Sequence, residues 1–480
     1  MKHGIFFSFL RLTVRSILCA TLLSMLVSCE KNEAEKRADA EEALRIELEQ
    51  KKNSALEEYV LSLSERERLA QIFVINLEGN EEFWFCEYIA ESASEEKAPL
   101  IPGGYIFFSF NIAETPEKIA AFTNSTRRFV RERGCAEPFL CIDVEGGYVN
   151  RLRGLAGPLP EAGRVAECLD VSRAEMLYSL NAIQLKSLGF DLNFAPVCES
   201  RTAENENFLG GRSFGDATAA SEYSRAAIKA YQQSRVGAVA KHFPGNGNAD
   251  PHTQIPRVLF DADEFQKNVL EPFERILVEN PAGILMSHAI VEIVELEGDS
   301  SEAFSESGKI PASLSAFWIE KILREKMGFD GIVFSDDIFM SALAQSGFDS
   351  ERAVREAILA GVNCILMSEK RFLREYEIVR KLYSQNAAFR ARVDDSVRRI
   401  VKFKIDCGIL RYEWDKEQTD EDDSAPRLKI VSSEIADNEN SFFMRMQEFR
   451  AAKEENIKLY EEYFLPTASQ EELRTVRWTQ

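Results

Sequence analysis

Short apolar runs alternate with longer amphipathic segments through the middle of the chain. We count eight apolar runs, each the length of a strand and each bounded by polar or glycine-containing breaks. Continuous apolar runs of this kind are typical of strands that are buried on both faces of a parallel sheet. The eight predicted strands are 71–76, 104–109, 139–143, 190–195, 236–242, 283–288, 331–336 and 362–367.

Helical patterns occupy the intervals between these strands. The clearest are 116–133, 173–188, 218–235, 262–279 and 314–327. Eight strand–helix units in succession predict an α/β fold with a TIM barrel. The alternative, an open doubly wound sheet, would carry a glycine-rich phosphate turn after its first strand, and residues 75–80 do not supply one.

Polar and charged residues recur at the carboxyl ends of the predicted strands. Asp143 ends the third, Lys241 and His242 the fifth, His288 the sixth and Asp336 the seventh. Side chains that fill a barrel are apolar, whereas catalytic groups project from the carboxyl ends of its strands. These residues therefore predict a functional site at that end of the barrel.

The segment after the fifth strand, residues 241–256, holds two of the four histidines of the chain and is rich in glycine. Asp250 and His252 lie two residues apart, so the carboxylate can orient the imidazole and raise its basicity. This spacing favours a catalytic loop. The alternative is a loop in which both side chains only bond backbone groups.

The N-terminus has the pattern of a secretory signal. Lys2, Arg11 and Arg15 precede or interrupt an apolar stretch that ends at residue 27. The following Leu26-Val-Ser-Cys29 resembles the lipobox of bacterial lipoproteins, in which the cysteine is acylated. We therefore expect residues 1–28 to be a signal peptide, Cys29 to carry lipid, and the protein to lie in the bacterial cell envelope. An uncleaved membrane anchor is the alternative.

Composition limits the other partners. The chain has 480 residues, 45% of them hydrophobic, and a formal net charge of −21, which becomes −24 when residues 1–28 are removed. So acidic a chain is not expected to bind nucleic acid or anionic lipid head groups, which leaves lipid on Cys29 as the expected membrane contact. The nine cysteines form no C-x-x-C pair, and Cys141, Cys198 and Cys364 lie in apolar runs, so we interpret them as buried thiols.

We divide the chain into four parts. Residues 1–28 are the signal peptide, 29–62 a charged helical stalk, and 63–410 the barrel. Residues 411–480 begin with an acidic linker and continue with a predicted helix over 441–463. This extension is expected either to pack on the barrel or to pair with a partner, and the sequence leaves both open.

Five ordered motifs carry a family resemblance over residues 63–410. They are Asp143-Val-Glu-Gly-Gly-Tyr-Val-Asn-Arg151, Gly211-Arg-Ser-Phe214, Lys241-His-Phe-Pro-Gly245, Asp250-Pro-His252 and Phe334-Ser-Asp-Asp337. In this order the motifs resemble family 3 glycoside hydrolases, and in particular the bacterial β-N-acetylhexosaminidases that remove N-acetylglucosamine from muropeptides.

The resemblance implies a role for each matched residue. Asp336 matches the nucleophile that forms a covalent glycosyl-enzyme, His252 the general acid/base and Asp250 its partner. The residues implied to bind the sugar hydroxyls and the acetamido group are Asp143, Arg151, Arg212, Lys241 and His242. The implied reaction is retaining, exo-acting hydrolysis of an N-acetylglucosamine-containing oligosaccharide or muropeptide, without metal or organic cofactor.

The physical chemistry of the residues agrees with this assignment. Retention needs a nucleophile on one face of the anomeric carbon and a proton donor on the other. An imidazole with an unperturbed pKa of about 6.5 can donate and then recover a proton near neutral pH. Two positions depart from the family pattern, because Asn246 stands where the family has histidine and Pro251 where it has serine.

Three other functions remain open from the sequence. A phosphorylase of the same family is one, since a histidine acid/base repels phosphate less than a carboxylate does. A metal-dependent barrel hydrolase using His242, His252 and His288 is the second, although Lys241 places a cation beside one supposed ligand. A non-catalytic, lipid-anchored glycan-binding protein is the third, for which Asn246 and Pro251 are the evidence.

For five residues, a structural role is weighed against a functional one. We expect His288 to be a satisfied residue of the barrel, and Glu145 to bond backbone groups in its turn. Asp337 is expected to cap a helix that begins near Phe339. For Arg151 and Arg212 we favour sugar contacts over structural ion pairs.

Overall fold

The computed structural model describes residues 33–81, 83, 99–249, 254–294, 310–415, 427–433 and 439–468. The predicted signal peptide and Cys29 lie outside these residues, as do Asp250, Pro251 and His252. Each statement below on the absence of a contact or feature refers to the described residues alone.

Eight parallel strands form one sheet that curves into a nearly closed barrel, as predicted. The strands are β1 (Phe73–Asn76), β2 (Gly104–Phe107), β3 (Phe139–Ile142), β4 (Leu192–Asn193), β5 (Gly237–Phe243), β6 (Gly283–Met286), β7 (Ile332–Phe334) and β8 (Ile365–Met367). Their order in the sheet is β7-β6-β5-β4-β3-β2-β1-β8. An isolated parallel bridge between Phe334 and Cys364 joins the two edges. All eight predicted strands are present, each shorter than or close to its apolar run.

Helices lie between the strands and after the last one. Those of the barrel are Glu65–Gln71, Pro116–Arg131, Ala162–Cys168, Val171–Ser187, Glu206–Leu209, Ala217–Gln233, Ala262–Phe265, Glu271–Leu277, Ser341–Gln345, Ser350–Ala360, Phe372–Gln385 and Ala387–Asp406. Gln266–Leu270 and Phe317–Lys326 are π-helical. The predicted helices over 262–279 and 314–327 therefore contain wider turns that apolar periodicity does not reveal.

Aromatic rings fill the inside of the barrel. Phe334 makes edge-to-face contacts with Phe139 and Phe194, with ring centroids 6.4 Å and 5.2 Å apart. A Cβ atom on Gly283 would lie 2.4 Å from the Phe334 ring, so only glycine leaves room for that ring at the start of β6. The predicted burial of Cys141, Cys198 and Cys364 is confirmed. The inside of the barrel is thus a packed core.

Three two-stranded ribbons accompany the barrel. Val144–Gly146 and Val149–Asn150 form an antiparallel hairpin directly after β3, with an irregular register. Arg257–Asp261 pairs in parallel with Ile290–Val294. Leu410–Trp414 pairs with Leu428–Ser432. The first hairpin matters most here, because it begins next to Asp143 and ends next to Arg151.

Two units are distinguished along the chain. One comprises residues up to Glu57 together with Glu413–Lys429, and within it the Lys51 ammonium lies 5.5 Å from the centroid of the Trp414 ring. The other comprises residues 58–412 together with those from Ile430 onward, and it holds the barrel. The charged segment predicted as a stalk is helical over Glu33–Ser62. In the part of the chain that the structure describes, no helix is both long and apolar enough to span a bilayer.

The C-terminal helix, Glu439–Tyr463, belongs to the same unit as the barrel. It packs along the helix Val171–Ser187, where Arg173 Nε donates a hydrogen bond of 2.9 Å to the Tyr463 hydroxyl. Arg450 pairs with Glu117 of the helix Pro116–Arg131 at 2.7 Å. Of the two arrangements that the sequence left open, packing on the barrel is the one observed.

A buried ion pair joins the helix Pro116–Arg131 to the strands. Arg127 donates to Asp191, and both side chains are almost fully buried, at 5% and 4% exposure. Asp191 also accepts a hydrogen bond from the Leu140 amide of β3 at 2.9 Å. Arg128, the residue next to Arg127, is 64% exposed, and its Nε lies 4.0 Å from Glu132 Oε1 on the same helix.

We predict that Arg127→Met lowers the free energy of unfolding by about 3 kcal/mol, because it removes the nearest cation of the buried Asp191 carboxylate and leaves it with the Lys186 ammonium at 3.7 Å. Arg128→Met removes the same charge from the adjacent position and should change stability by less than about 1 kcal/mol. Urea unfolding followed by circular dichroism measures both. Equal effects of the two substitutions would contradict the role assigned to the pair.

Candidate active site

The carboxyl ends of β3, β5 and β7 bring most of the predicted site residues to one end of the barrel. Asp143 and Arg151 flank the hairpin after β3, Lys241 and His242 lie on β5, and Asp336 follows β7 by two residues. Arg212 comes from the short 3₁₀ turn Gly210–Arg212. These positions confirm that the polar strand ends predicted from the sequence share one end of the barrel.

Glu145 is the centre of a buried charge cluster, which we define as Glu145, Lys241, Arg212 and Asp143. Both Glu145 oxygens accept hydrogen bonds from the Arg212 guanidinium, at 2.8 Å and 2.9 Å. The Lys241 ammonium lies 2.6 Å from Glu145 Oε1 and donates to Asp143 Oδ1 at 3.1 Å. The expectation that Glu145 bonds backbone groups is therefore wrong, since its carboxylate holds two of the predicted sugar-binding cations.

Glu145, Lys241 and Arg212 are all ionised near neutral pH. Burial would raise the pKa of Glu145, but the charges of Lys241 and Arg212 outweigh it and lower that pKa to about 2. Burial would lower the pKa of Lys241, but the carboxylates of Glu145 and Asp143 raise it instead. Burial would lower the pKa of Arg212, but the carboxylates of Glu145, Glu199 and Asp143 together raise it instead. A buried carboxylate of this kind is tolerated only because both cations are present.

Exposure increases from the inner to the outer part of the cluster. The side chains of Lys241 and Glu145 are 4% and 6% exposed, that of Asp143 is 16% exposed, and that of Arg151 is 31% exposed. Arg151 Nη2 lies 3.7 Å from Asp143 Oδ2, and its Nε has no hydrogen-bond partner among the described residues. Arg151 and Arg212 are thus both in ion pairs, yet Arg151 keeps donors for a further partner.

His242 is held by Glu199, a residue that the sequence did not single out. Glu199 Oε1 lies 2.6 Å from His242 Nδ1, and Oε2 accepts a hydrogen bond from the Asn246 amide at 2.6 Å. The Asn246 side chain donates to the same carboxylate at 3.2 Å. A carboxylate only accepts, so Nδ1 carries a proton and Nε2 is left for another partner. Asn246, the departure from the family pattern, is therefore part of the support of His242.

The turn after β7 distinguishes its two aspartates. Asp337 accepts hydrogen bonds from the Phe339 and Ser368 amides, at 3.1 Å and 3.2 Å, and a short one from the Ser368 hydroxyl. The pKa of Asp337 is raised above its ordinary value, first by burial and also by the neighbouring carboxylate of Asp336. The hydrogen bonds from Ser368 and Phe339 lower that pKa but do not outweigh the rise. Asp336 is half-buried, accepts only from the Asp337 amide at 2.8 Å, and forms no ion pair with a described residue. Of the two carboxylates, Asp336 therefore has fewer partners among the described residues.

The expected helix at Phe339 begins later, at Ser341, so Asp337 closes a turn instead of capping that helix. His288 supports the same turn. Its Nδ1 lies 2.7 Å from Ser313 Oγ and its Nε2 lies 3.0 Å from the Asp337 carbonyl oxygen. Because a carbonyl only accepts, Nε2 carries a proton and donates. The prediction that His288 is a satisfied barrel residue is confirmed.

The predicted acid/base pair, Asp250 and His252, lies outside the described residues. The chain enters that segment through Asn248, whose side-chain amide donates to the Ala203 carbonyl at 2.9 Å. Among the residues that the structure describes, no group of three or more His, Cys, Asp and Glu side chains is placed to hold a metal ion. Both nitrogens of His288 have polar partners, and His242 Nδ1 is taken by Glu199.

The arrangement suits a polyhydroxylated ligand. Lys241, His242 and the two arginines offer donors, and Asp143 offers acceptor lone pairs, all converging at the end of a parallel barrel. Hydroxyl groups donate and accept at once, so a mixed set of fixed donors and acceptors recognises them well. The Asp336 carboxylate lies at the same end of the barrel.

Comparison with known proteins gives the same picture. Residues 66–403 match the family model described as glycosyl hydrolase family 3 N terminal domain. A beta-hexosaminidase of Methylococcus capsulatus is 31% identical over 274 residues, which are 55% of this chain and 75% of that protein. The solved structure of LpqI of M. tuberculosis matches with a TM-score of 0.60 at 27% identity, covering 71% of this chain and 94% of that one.

A further match concerns the fold alone. The structure of a family 3 β-N-acetylglucosaminidase from Paenibacillus sp. str. FPU-7 superposes with a TM-score of 0.62 at 23% identity, over 81% of this chain and 68% of that one. The family match covers the barrel and every described site residue above. The chain therefore belongs to glycoside hydrolase family 3 and is a glycoside hydrolase.

Proposed function

We propose that this protein is a retaining exo-β-N-acetylglucosaminidase that removes terminal N-acetylglucosamine from an oligosaccharide or muropeptide. The observation that carries the proposal is the buried charge cluster, which lies at the same end of the barrel as the free Asp336 carboxylate. The name beta-hexosaminidase, borne by relatives of this chain, supports the N-acetylhexosamine. No metal or organic cofactor takes part in the proposed mechanism.

Exo action is part of this proposal. Lys241 and Glu145 are buried and bonded to each other, and we propose that they form the inner limit of the sugar site. A single terminal ring would bind there through Asp143, Arg151, Arg212, Lys241 and His242, while the rest of the substrate extends toward solvent. Such a site selects chain ends by shape and hydrogen bonding.

The reaction proceeds in two steps. The Asp336 carboxylate attacks the anomeric carbon and forms an ester, while His252 donates a proton to the departing glycosidic oxygen. The neutral imidazole then takes a proton from water, which attacks the same carbon, releases N-acetylglucosamine and restores Asp336. Asp250 orients the imidazole in both steps.

The loop that carries His252 starts from a fixed point. Asn246 is anchored on Glu199 through both its backbone and its side chain, and Gly245 has a positive φ of 130° that an L side chain rarely adopts. Glu199 thus ties the first residues of this segment to His242.

The N-terminal pattern places the enzyme at the bacterial cell envelope in this proposal. Lipid on Cys29 would anchor it, and the helix Glu33–Ser62 would act as a stalk between lipid and barrel. Glycans with terminal N-acetylglucosamine are present in that compartment as cell-wall fragments, so the proposed location and the proposed substrate agree.

Asp336→Asn should lower kcat for an aryl N-acetyl-β-glucosaminide by at least about 10³-fold, because an amide cannot form the glycosyl ester. Asp330→Asn, at an exposed side chain, is the control and should leave kcat unchanged. Rates are measured with and without inorganic phosphate. Unchanged turnover by the Asp336 variant would contradict the nucleophile, and sugar phosphate as the main product would replace hydrolysis with phosphorolysis.

Glu145→Gln should weaken the dependence of stability on acid pH. Because the folded-state pKa of the Glu145 carboxyl is about 2, its carboxylate stabilises the fold at every pH above the ordinary pKa of 4.5. This contribution is lost as the pH falls toward 2. Between pH 5 and pH 2 the free energy of unfolding should therefore fall less in the variant, by up to ~3 kcal/mol. Denaturant titrations at several pH values measure this, with Glu167→Gln, at a 63% exposed side chain, as control. Parallel curves for wild type and Glu145→Gln would contradict the assigned charge state.

Cys29→Ser should release the protein from the membrane fraction of a bacterium that expresses the full chain, because the thiol that accepts lipid is lost. Cys135→Ser is the control and should leave the distribution unchanged. Immunoblotting of fractions and the mass of the mature protein measure the outcome. A wild-type protein without added lipid mass would contradict the anchor.

A further inference from the structure

The C-terminal helix Glu439–Tyr463 lies beyond the residues 66–403 that match the family. Its contacts with the barrel are specific. Besides packing along Val171–Ser187, it reaches the segment 152–161, which runs from the end of the β3 hairpin to the helix Ala162–Cys168. We call this segment the support loop.

Two contacts join the C-terminal helix to the support loop. Lys453 Nζ donates a hydrogen bond of 2.7 Å to the Leu155 carbonyl. One turn further, the buried Asn456 packs against Gly157 so closely that a Cβ atom there would lie 2.6 Å from Asn456 Oδ1. From the other side, the Gly157 amide donates to Gln184 Oε1 at 2.6 Å. The loop is therefore held between two helices.

The support loop in turn carries the hairpin. The Gly147 amide donates to the Leu159 carbonyl at 2.9 Å. A Cβ atom on Gly146 would lie 2.2 Å from the Pro160 carbonyl oxygen, so the two backbones are in direct contact. The Glu161 side chain packs against Gly147 and against Gly211, which precedes Arg212. The loop thus touches two of the three segments that supply the charge cluster, the hairpin and the turn that holds Arg212.

We infer that the C-terminal helix is part of the catalytic unit, and that Lys453 is a positioning residue that holds the sugar-binding hairpin through the support loop. The hydrogen bond from the Lys453 ammonium to the Leu155 carbonyl fixes the backbone of the support loop and does not constrain the side chains of that loop. Lys453 is half-buried, and burial lowers its pKa, as expected for an amine enclosed by packing. The effect on sugar binding rests on the proposed function, whereas the effect on the hairpin does not.

The experiment compares Lys453→Met with wild type in the full chain by hydrogen–deuterium exchange. Methionine keeps the length of the side chain and removes its donor. We expect amides of residues 144–160 to exchange about tenfold faster, since a partly buried hydrogen bond that holds the loop is lost, while amides of β1 and β8 are unchanged. Lys458→Met, on the exposed face of the same helix where Lys458 pairs with Glu455 at 3.2 Å, should leave exchange unchanged.

Activity gives the second readout. KM for an aryl N-acetyl-β-glucosaminide should rise about fivefold to tenfold in Lys453→Met with kcat little changed, because the hairpin binds sugar and does not supply the nucleophile. Lys453→Arg, which keeps a donor, should restore most of both properties. Unchanged exchange in residues 144–160, or faster exchange spread equally over all barrel strands, would overturn the inference. A wild-type chain without hydrolase activity would contradict the proposed function and leave the exchange result valid.

Discussion

The site depends on one constraint: the Glu145 carboxylate is buried between Lys241 and Arg212. A charge that is removed from water in this way is tolerated only if both cations are in place. The hairpin after β3, the end of β5 and the turn Gly210–Arg212 are therefore fixed relative to one another. The groups proposed to bind sugar are held before any ligand arrives, which reduces the ordering that binding must otherwise impose.

Neighbouring side chains also hold the other groups at the carboxyl end of the barrel that are proposed to react or to bind sugar. Glu199 holds His242 and the first residues of the loop that leads to His252. Asp337, with Ser368 and His288, fixes the turn after β7 and leaves the Asp336 carboxylate free. Supporting side chains of this kind keep catalytic groups within the narrow geometry that a reaction needs.

The sequence predicts the barrel well because its signals are local. Every strand is an apolar run of the right length. The carboxyl end of the barrel is predicted as the site from the polar residues at the strand ends, which are Asp143, Lys241, His242 and Asp336. The ordered motifs then predict the family. The periodicity of apolar residues and the spacing of residues within a motif depend on residues that are close in the sequence, so both can be recognised without knowledge of the fold.

What the sequence does not predict depends on contacts between distant residues. Glu145 was expected to bond backbone groups, but its carboxylate pairs with Lys241 and Arg212, which are far along the chain. Glu199 was missed because a single glutamate after an apolar segment carries no pattern of its own. The available signal was its position just past β4, the same rule that identified the other strand ends. The hydrogen bond from Lys453 to Leu155 of the support loop likewise joins residues that are far apart in the sequence.

The central claim is that Asp336 attacks a sugar bound in this site. The most direct measurement is to treat the enzyme with a fluorinated N-acetylglucosamine analogue that slows release of the glycosyl-enzyme, and to map the labelled peptide by mass spectrometry. The account predicts a single covalent adduct on Asp336, in the peptide that follows β7. An adduct on another residue, or turnover of the analogue with no adduct at all, would contradict it.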